Sequence, residues 1–229
     1  MSSEISSARW ENTYFARERA KNSSFYEESD SESPHGYFQG RRIIGRDMTI
    51  QGGVYLGGGK REAIVVDENK EGGELAAVYK KVRDRLSSLE AQGHEVRGQV
   101  LNVVYNIVQE VLPFDEVRVN HIVEQFKNDQ KVALDYFITE KSGVCRHQAL
   151  LGAYLLERLG RDGVVRGTVS IDRNVIPGRG GHAWIRYTNR AGQVFIVDPA
   201  QEYIGRLDDT SQNRWFYERP EDRGRIAAA

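Results

Sequence analysis

Gly143-Val144-Cys145-Arg146-His147-Gln148-Ala149 holds the only cysteine in a chain of 229 residues. Ser142 and Gly143 are turn formers, and the residues after them form a long apolar run that Gly160 ends. Cys145, Ala149, Gly152, Leu156 and Leu159 share one stripe of a helix, and Leu150, Leu151, Tyr154 and Leu155 fill most of the remaining circumference. A helix apolar nearly all round is a buried one, so a core helix is expected to start near Val144 with the thiol in its first turn. There the positive end of the helix dipole favours a thiolate, and an imidazolium nearby would lower the pKa further from the free value of about 8.5. Backbone N–H groups at the same terminus, that of Cys145 first, suit a developing oxyanion. A lone cysteine at an apolar helix start is more often a buried structural thiol, so its meaning depends on what the fold brings to it.

Three strand candidates follow this helix. Val165, Val169 and Ile171 alternate with polar residues over Val164 to Ile171, and Pro177-Gly178-Arg179-Gly180-Gly181 leads into His182-Ala183-Trp184-Ile185-Arg186-Tyr187. Thr188 to Gly192 then connects to Gln193-Val194-Phe195-Ile196-Val197-Asp198, ended by Pro199. If the last two strands form a hairpin centred on Arg190, 186 faces 194, 184 faces 196 and 182 faces 198. His182 and Asp198 are then direct cross-strand neighbours, and the carboxylate can hold one ring nitrogen while the other stays free. A bulge at Gly192 would slip this register by one residue. Trp184 shares the face of His182, where it shields the ion pair, lines the cleft or simply packs, and the three glycines before His182 suggest a lid.

Upstream, helical periodicity runs from Glu74 through Leu75, Val78, Tyr79, Val82, Leu86 and Leu89 to a stop at Gly93. A second run with Val100, Val103, Val104, Ile107, Val108 and Val111 on one face is stopped by Pro113, and shorter helical pieces follow around Val119 to Phe126 and Lys131 to Thr139. Gly36 to Asp67 is glycine-punctuated, with strand-length pieces at 42–44, 48–50, 53–56 and 63–66 that read as hairpins. Gly57-Gly58-Gly59-Lys60 lacks the spacing of a phosphate loop and reads as a turn. Residues 1–35 are serine-rich and acidic and read as a mobile polar arm with one weak helix around Trp10 to Arg19. The expected organisation is that arm and one α+β domain over 36–229: a β-rich lead-in (36–70), the core (71–200) and a charged tail (201–229) whose island Trp215-Phe216-Tyr217 packs back on the domain.

Lys plus Arg (32) balance Asp plus Glu (33), which gives no electrostatic case for nucleic-acid or acidic-membrane binding. One cysteine forms no intramolecular disulfide, and no apolar run reaches the ~18 residues of a membrane span, so a cytoplasmic protein is expected. His35, His94, His121 and His147 show no metal-ligand spacing, and no metal or cofactor is expected. His147, two residues after the cysteine, points about 200° away on a helix and reads as structural.

Gly143-Val144-Cys145-Arg146-His147-Gln148-Ala149, Gly181-His182-Ala183-Trp184-Ile185 and Ile196-Val197-Asp198-Pro199-Ala200 resemble the three signature blocks of the transglutaminase-like superfamily. These are a G-x-C motif opening the central helix, an H-A-W strand and a strand ending in D-P. The likeness covers about residues 95 to 200. Cys-Arg-His-Gln-Ala also resembles the peptidase-like domain of some plant Raf-like kinases. The resemblance implies a papain-like fold and assigns the nucleophile to Cys145, the general base to His182 and the orienting carboxylate to Asp198. Members include crosslinkers, cysteine peptidases, deamidases, glycoprotein amidases and proteins that kept the fold without the activity. The expectation is cysteine-dependent acyl transfer at an amide of a protein or peptide, with a non-catalytic protein-binding module as the alternative. Oligomeric state is not legible in the sequence.

Overall fold

The computed structural model describes residues 8–10, 12–22, 26–27, 30–31, 33–57, 62–69, 73–127, 130–209 and 215–222. Its architecture is α+β. The apolar stripes read from the sequence appear as α2 (Glu74–Ala91), α3 (Val100–Val111), α4 (Glu116–Glu124), α5 (Leu134–Thr139) and α6 (Cys145–Arg161), after an N-terminal α1 (Asn12–Lys21). Asp115 caps α4, its carboxylate accepting the Arg118 N–H at 2.8 Å. α6 is the central element, with twelve buried residues from Arg146 to Leu159, as its nearly all-round apolar surface requires.

Five antiparallel strands in the order β1 (Arg9–Trp10), β8 (Gly167–Ile176), β9 (Gly180–Asn189), β10 (Val194–Asp198) and β11 (Tyr203–Arg206) form the main sheet. Alternation divides its side chains. Ile171, Ala183, Ile185, Tyr187 and Val197 join the core built around α6, whereas Ile176, Trp184 and Ile196 pack on the opposite face with Trp215 and Tyr217. The helix reaches the sheet at Gly152, where a Cβ would stand 2.3 Å from Cδ1 of Ile185. Gly143 allows another close approach: a Cβ there would meet Leu112 at 2.7 Å, and its own N–H and C=O bond to Pro113 and Asp115. Two smaller sheets lie N-terminal in sequence. β2 (Tyr26–Glu27), β3 (Tyr37–Phe38) and β4 (Arg41–Arg42) form one, and β5 (Val54–Leu56), β6 (Ala63–Val65) and β7 (Lys131–Ala133) form the other.

Several expectations change. Met48 to Ile50 is not a strand, and Lys131 to Ala133, expected as helix, is strand β7 running parallel to β6. β8 extends to Ile176 because its polar residues Asp172, Arg173 and Asn174 are buried with partners. Within the stretch read as a mobile arm, Arg9 and Trp10 pair with Val175 and Asn174, and Ala16 and Ala20 of α1 are buried against the β5–β6 hairpin. Residues 58–60 of the glycine-rich turn lie outside the described residues. No helix among the described residues is long and apolar enough to cross a membrane.

Gly152 and Gly160 on α6 give a matched test of this packing. Gly152→Ala should lose about 1–3 kcal/mol to overpacking, offset in part by the roughly 1 kcal/mol helix propensity of alanine. Gly160→Ala, where nothing lies within 4 Å of the new Cβ, should gain up to about 1 kcal/mol. Denaturant midpoints of the two variants check the opposite signs.

Candidate active site

Cys145 is the first residue of α6, and Val144 before it has extended backbone. The helix start is held by His147, whose Nδ1 accepts the Val144 N–H at 3.2 Å, the side-chain half of a capping box. Because Nδ1 accepts, the proton of a neutral ring sits on Nε2, 3.2 Å from Oε1 of Glu62. The same oxygen accepts Nε and Nη2 of Arg146 at 2.8 and 2.6 Å. Glu62, His147 and Arg146 are all buried, and Phe137 packs on the His147 ring at 4.0 Å. His147 is thus a structural residue of the helix start, as its angular offset from Cys145 suggested. Burial opposes ionisation of Glu62, but His147 and Arg146 outweigh it and bring its pKa to about 2.

His182 and Asp198 come together by a register different from the one expected. The observed β9–β10 pairs are Thr188 with Val194, Tyr187 with Phe195, Arg186 with Ile196 and Ile185 with Val197. The hairpin is centred on Ala191, not Arg190. Gly192, in the left-handed region at φ 78°, closes a three-residue loop, and the Asn189 N–H bonds to the Gln193 carbonyl. The shift moves each partner by two positions. Parity is kept and the two residues stay on one face, but as diagonal rather than direct neighbours, which their side chains span. Nε2 of His182 lies 2.5 Å from Oδ2 of Asp198.

Asp198 ends β10 and caps the short turn begun by Pro199, its Oδ1 accepting the Gln201 N–H at 3.2 Å. Its Oδ2 also accepts the Tyr217 hydroxyl at 2.8 Å. With Nε2 of His182 engaged by Asp198, Nδ1 is the ring nitrogen left over, and His182 and Cys145 line the same cleft. Burial works against a charged imidazole, but the hydrogen bonds and charges of Asp198 and Cys145 overcome it and raise His182 to about 9. Burial likewise opposes the thiolate, yet the His182 hydrogen bond and charge, the Ala183 N–H and the Arg146 charge together hold the thiol below its ordinary value. Both shifts favour thiolate and imidazolium over the neutral pair. β9–β10 pairing stops at Ile185 and Val197, two residues short of Ala183.

Cys145 is half-buried and lines a cleft of about 630 Å³ whose walls come from the β5–β6 hairpin, the start of α4, the β8–β9 turn and the segment after Asp198. Trp184 does not line it. It is fully buried behind His182, with ring centroids 6.0 Å apart, and is met edge-on by Trp10 and Tyr217. The aromatic island does reach the site. Trp215 lies 4.9 Å from the His182 ring and donates Nε1–H to Asn174 Oδ1 at 2.6 Å, and Asn174 is the cross-strand partner of His182. The expected lid is a tight hairpin turn: Ile176 pairs with Gly180, the Arg179 N–H bonds to the Ile176 carbonyl, and Gly180 and Gly181 belong to the ladder.

None of the three comparisons, with family models, curated proteins and solved structures, returns a match.

Glu62→Gln tests the support beneath the thiol. The folded pKa of about 2 lies below the ordinary 4.5, so this carboxylate contributes stability that is full above pH 4.5 and is lost as pH falls toward 2. At pH 7 the variant should lose on the order of 3 kcal/mol, and its deficit should close through that acid window. Denaturant unfolding at a series of pH values measures both.

Proposed function

We propose that this chain is a cysteine-dependent amide hydrolase or acyltransferase with a transglutaminase-like, papain-like core, acting on a protein or peptide. The observation that carries the reading is the His182–Asp198 pair standing with Cys145 at one cleft, the imidazole pKa raised and the thiol pKa lowered. A structural cysteine needs neither a histidine partner nor a depressed pKa. The three sequence blocks that resemble the superfamily supply these same residues in the same order. The alternative binding module would suit a thiol sealed in the core, whereas Cys145 opens on the cleft.

In this mechanism the Cys145 thiolate attacks the amide carbon, and the electron pair of the C=O moves to oxygen. The Cys145 N–H, at a helix start with no intrahelical acceptor, donates to that oxyanion. The His182 imidazolium gives its proton to the leaving amine as the C–N bond breaks, which leaves a thioester and a neutral imidazole. His182 then takes a proton from the incoming water or amine, which attacks the thioester, and the C–S bond breaks to release the thiolate beside the imidazolium. Asp198 holds Nε2–H so that Nδ1 faces the sulfur and the imidazolium is favoured.

Mass spectrometry of candidate proteins incubated with wild type and Cys145→Ala separates cleavage, deamidation and crosslinking by mass change. The account requires that any such change vanish in the variant. Turnover should be bell-shaped in pH, with a basic limb near 9 where the imidazolium is lost. Asp198→Asn should move that limb to lower pH, because the neutral amide no longer favours the charged ring, and should cut kcat by about 10² to 10⁴. A basic limb that ignores Asp198→Asn would refute the assigned pairing.

A further inference from the structure

After its last strand the chain returns to the site at residues 215–222, and polar bonds hold this segment at both ends. Trp215 donates Nε1–H to Asn174 at 2.6 Å, and Asn174 donates Nδ2–H to the Phe216 carbonyl at 2.9 Å. Arg219 is bonded to Asp172 at 2.7 Å, and Asp222 receives both Nη atoms of Arg186. Tyr217 sits between these anchors, 1 % exposed, stacked on Tyr203 of β11 at 5.7 Å and met edge-on by Trp184 at 5.2 Å. A phenylalanine would fill that space as well, so the packing does not account for the hydroxyl. What accounts for it is its partner: it donates at 2.8 Å to Oδ2 of Asp198, the oxygen that also lies 2.5 Å from Nε2 of His182. A carboxylate oxygen with two donors divides its charge between them, so each proton is held less tightly than it would be alone. The charged side chains on the sheet face of His182, Asp172 and Arg186, are paired with Arg219 and Asp222, and Arg146 beside Cys145 is paired with Glu62. Arg179 lies over the Trp215 ring at 5.0 Å. Asp198 and Cys145 are the groups whose charges bear on the His182 ring.

Resting on the acyl-transfer reading above, we infer that Tyr217 is a positioning residue: its hydroxyl fixes Asp198 against His182 and tempers the carboxylate, so that the imidazolium can release its proton to the leaving amine. The C-terminal segment then belongs to the active site and is not only a strap across the sheet.

The test follows the His182 ring by NMR of full-length protein labelled with 15N-histidine, titrated against pH in a Cys145→Ala background so that only Asp198 and its donors act on the ring. The His182 signal is identified by its loss in His182→Ala. Adding Tyr217→Phe should raise the His182 midpoint by about 0.5 to 1 pH unit, the size of one hydrogen bond, because Asp198 then favours the charged ring more strongly. A residue that only packs predicts no change, or a fall as the pair loosens. 3-Fluorotyrosine placed at position 217 keeps the shape and is the stronger donor, so it should lower the midpoint, and it reads the same bond if Tyr217→Phe melts too low to titrate. Tyr203→Phe, which removes a hydroxyl bonded to the Arg206 carbonyl, should leave the midpoint where it is. A midpoint that falls or stays in Tyr217→Phe, or that ignores the fluorinated ring, overturns the positioning role. A wild-type Cys145 that iodoacetamide does not alkylate at pH 7 overturns instead the acyl-transfer reading on which that role rests.

Discussion

The site depends on one buried carboxylate. Asp198 is 1 % exposed, and an ionised carboxylate out of water costs several kcal/mol unless donors surround it. Here three do: His182 Nε2 and the Tyr217 hydroxyl on one oxygen, the Gln201 N–H on the other. Each donor comes from a different part of the chain, so satisfying Asp198 ties β9, the turn after β10 and the C-terminal segment to a single point. The same bond fixes which nitrogen of His182 is left for the thiol. Fold and site are therefore constrained by the same interaction.

Two further buried charge clusters hold the pieces that meet there. Beneath the start of α6, Glu62, the residue before β6, is tied to Arg146 and His147 in the same turn as Cys145. At the other side of the sheet Arg219 donates to Asp172, Asp47 and Ser170, while Asp222 receives both Nη atoms of Arg186. These bonds clamp the segment 215–222 across the strands, and with it Trp215 against His182 and Tyr217 against Asp198. Removing one partner from either cluster leaves a buried charge uncompensated, which costs more than a lost surface ion pair.

What was legible in the sequence follows from periodicity. The long helices announced themselves because an apolar stripe of period 3.6 is the pattern an amphipathic helix needs and a strand does not, and α6 because it is apolar almost all round. Cys145, His182 and Asp198 stood out by residue type at element ends. The hairpin register was misplaced because the centre of a loop depends on which residue enters the left-handed region, and Gly192 does so at φ 78°. Since the error was an even number of positions along the strand, the face of each side chain survived it. Glu62, Asn174 and Tyr217 were not legible as parts of the site. Their roles arise from contacts across 84, 42 and 19 positions of sequence, respectively, and a polar residue in a strand looks the same whether it faces water or a buried partner.

On the proposed mechanism Cys145 and His182 stand as thiolate and imidazolium at neutral pH. Cys145 is the only thiol, so the thiolate absorbance in the far ultraviolet, titrated against pH with Cys145→Ala as the blank, reads this one group directly. The account predicts a thiolate signal already present at pH 7 that recedes only in acid, and a step displaced upward in His182→Ala. A single step near the free-cysteine value of about 8.5, the same with and without His182, would contradict it.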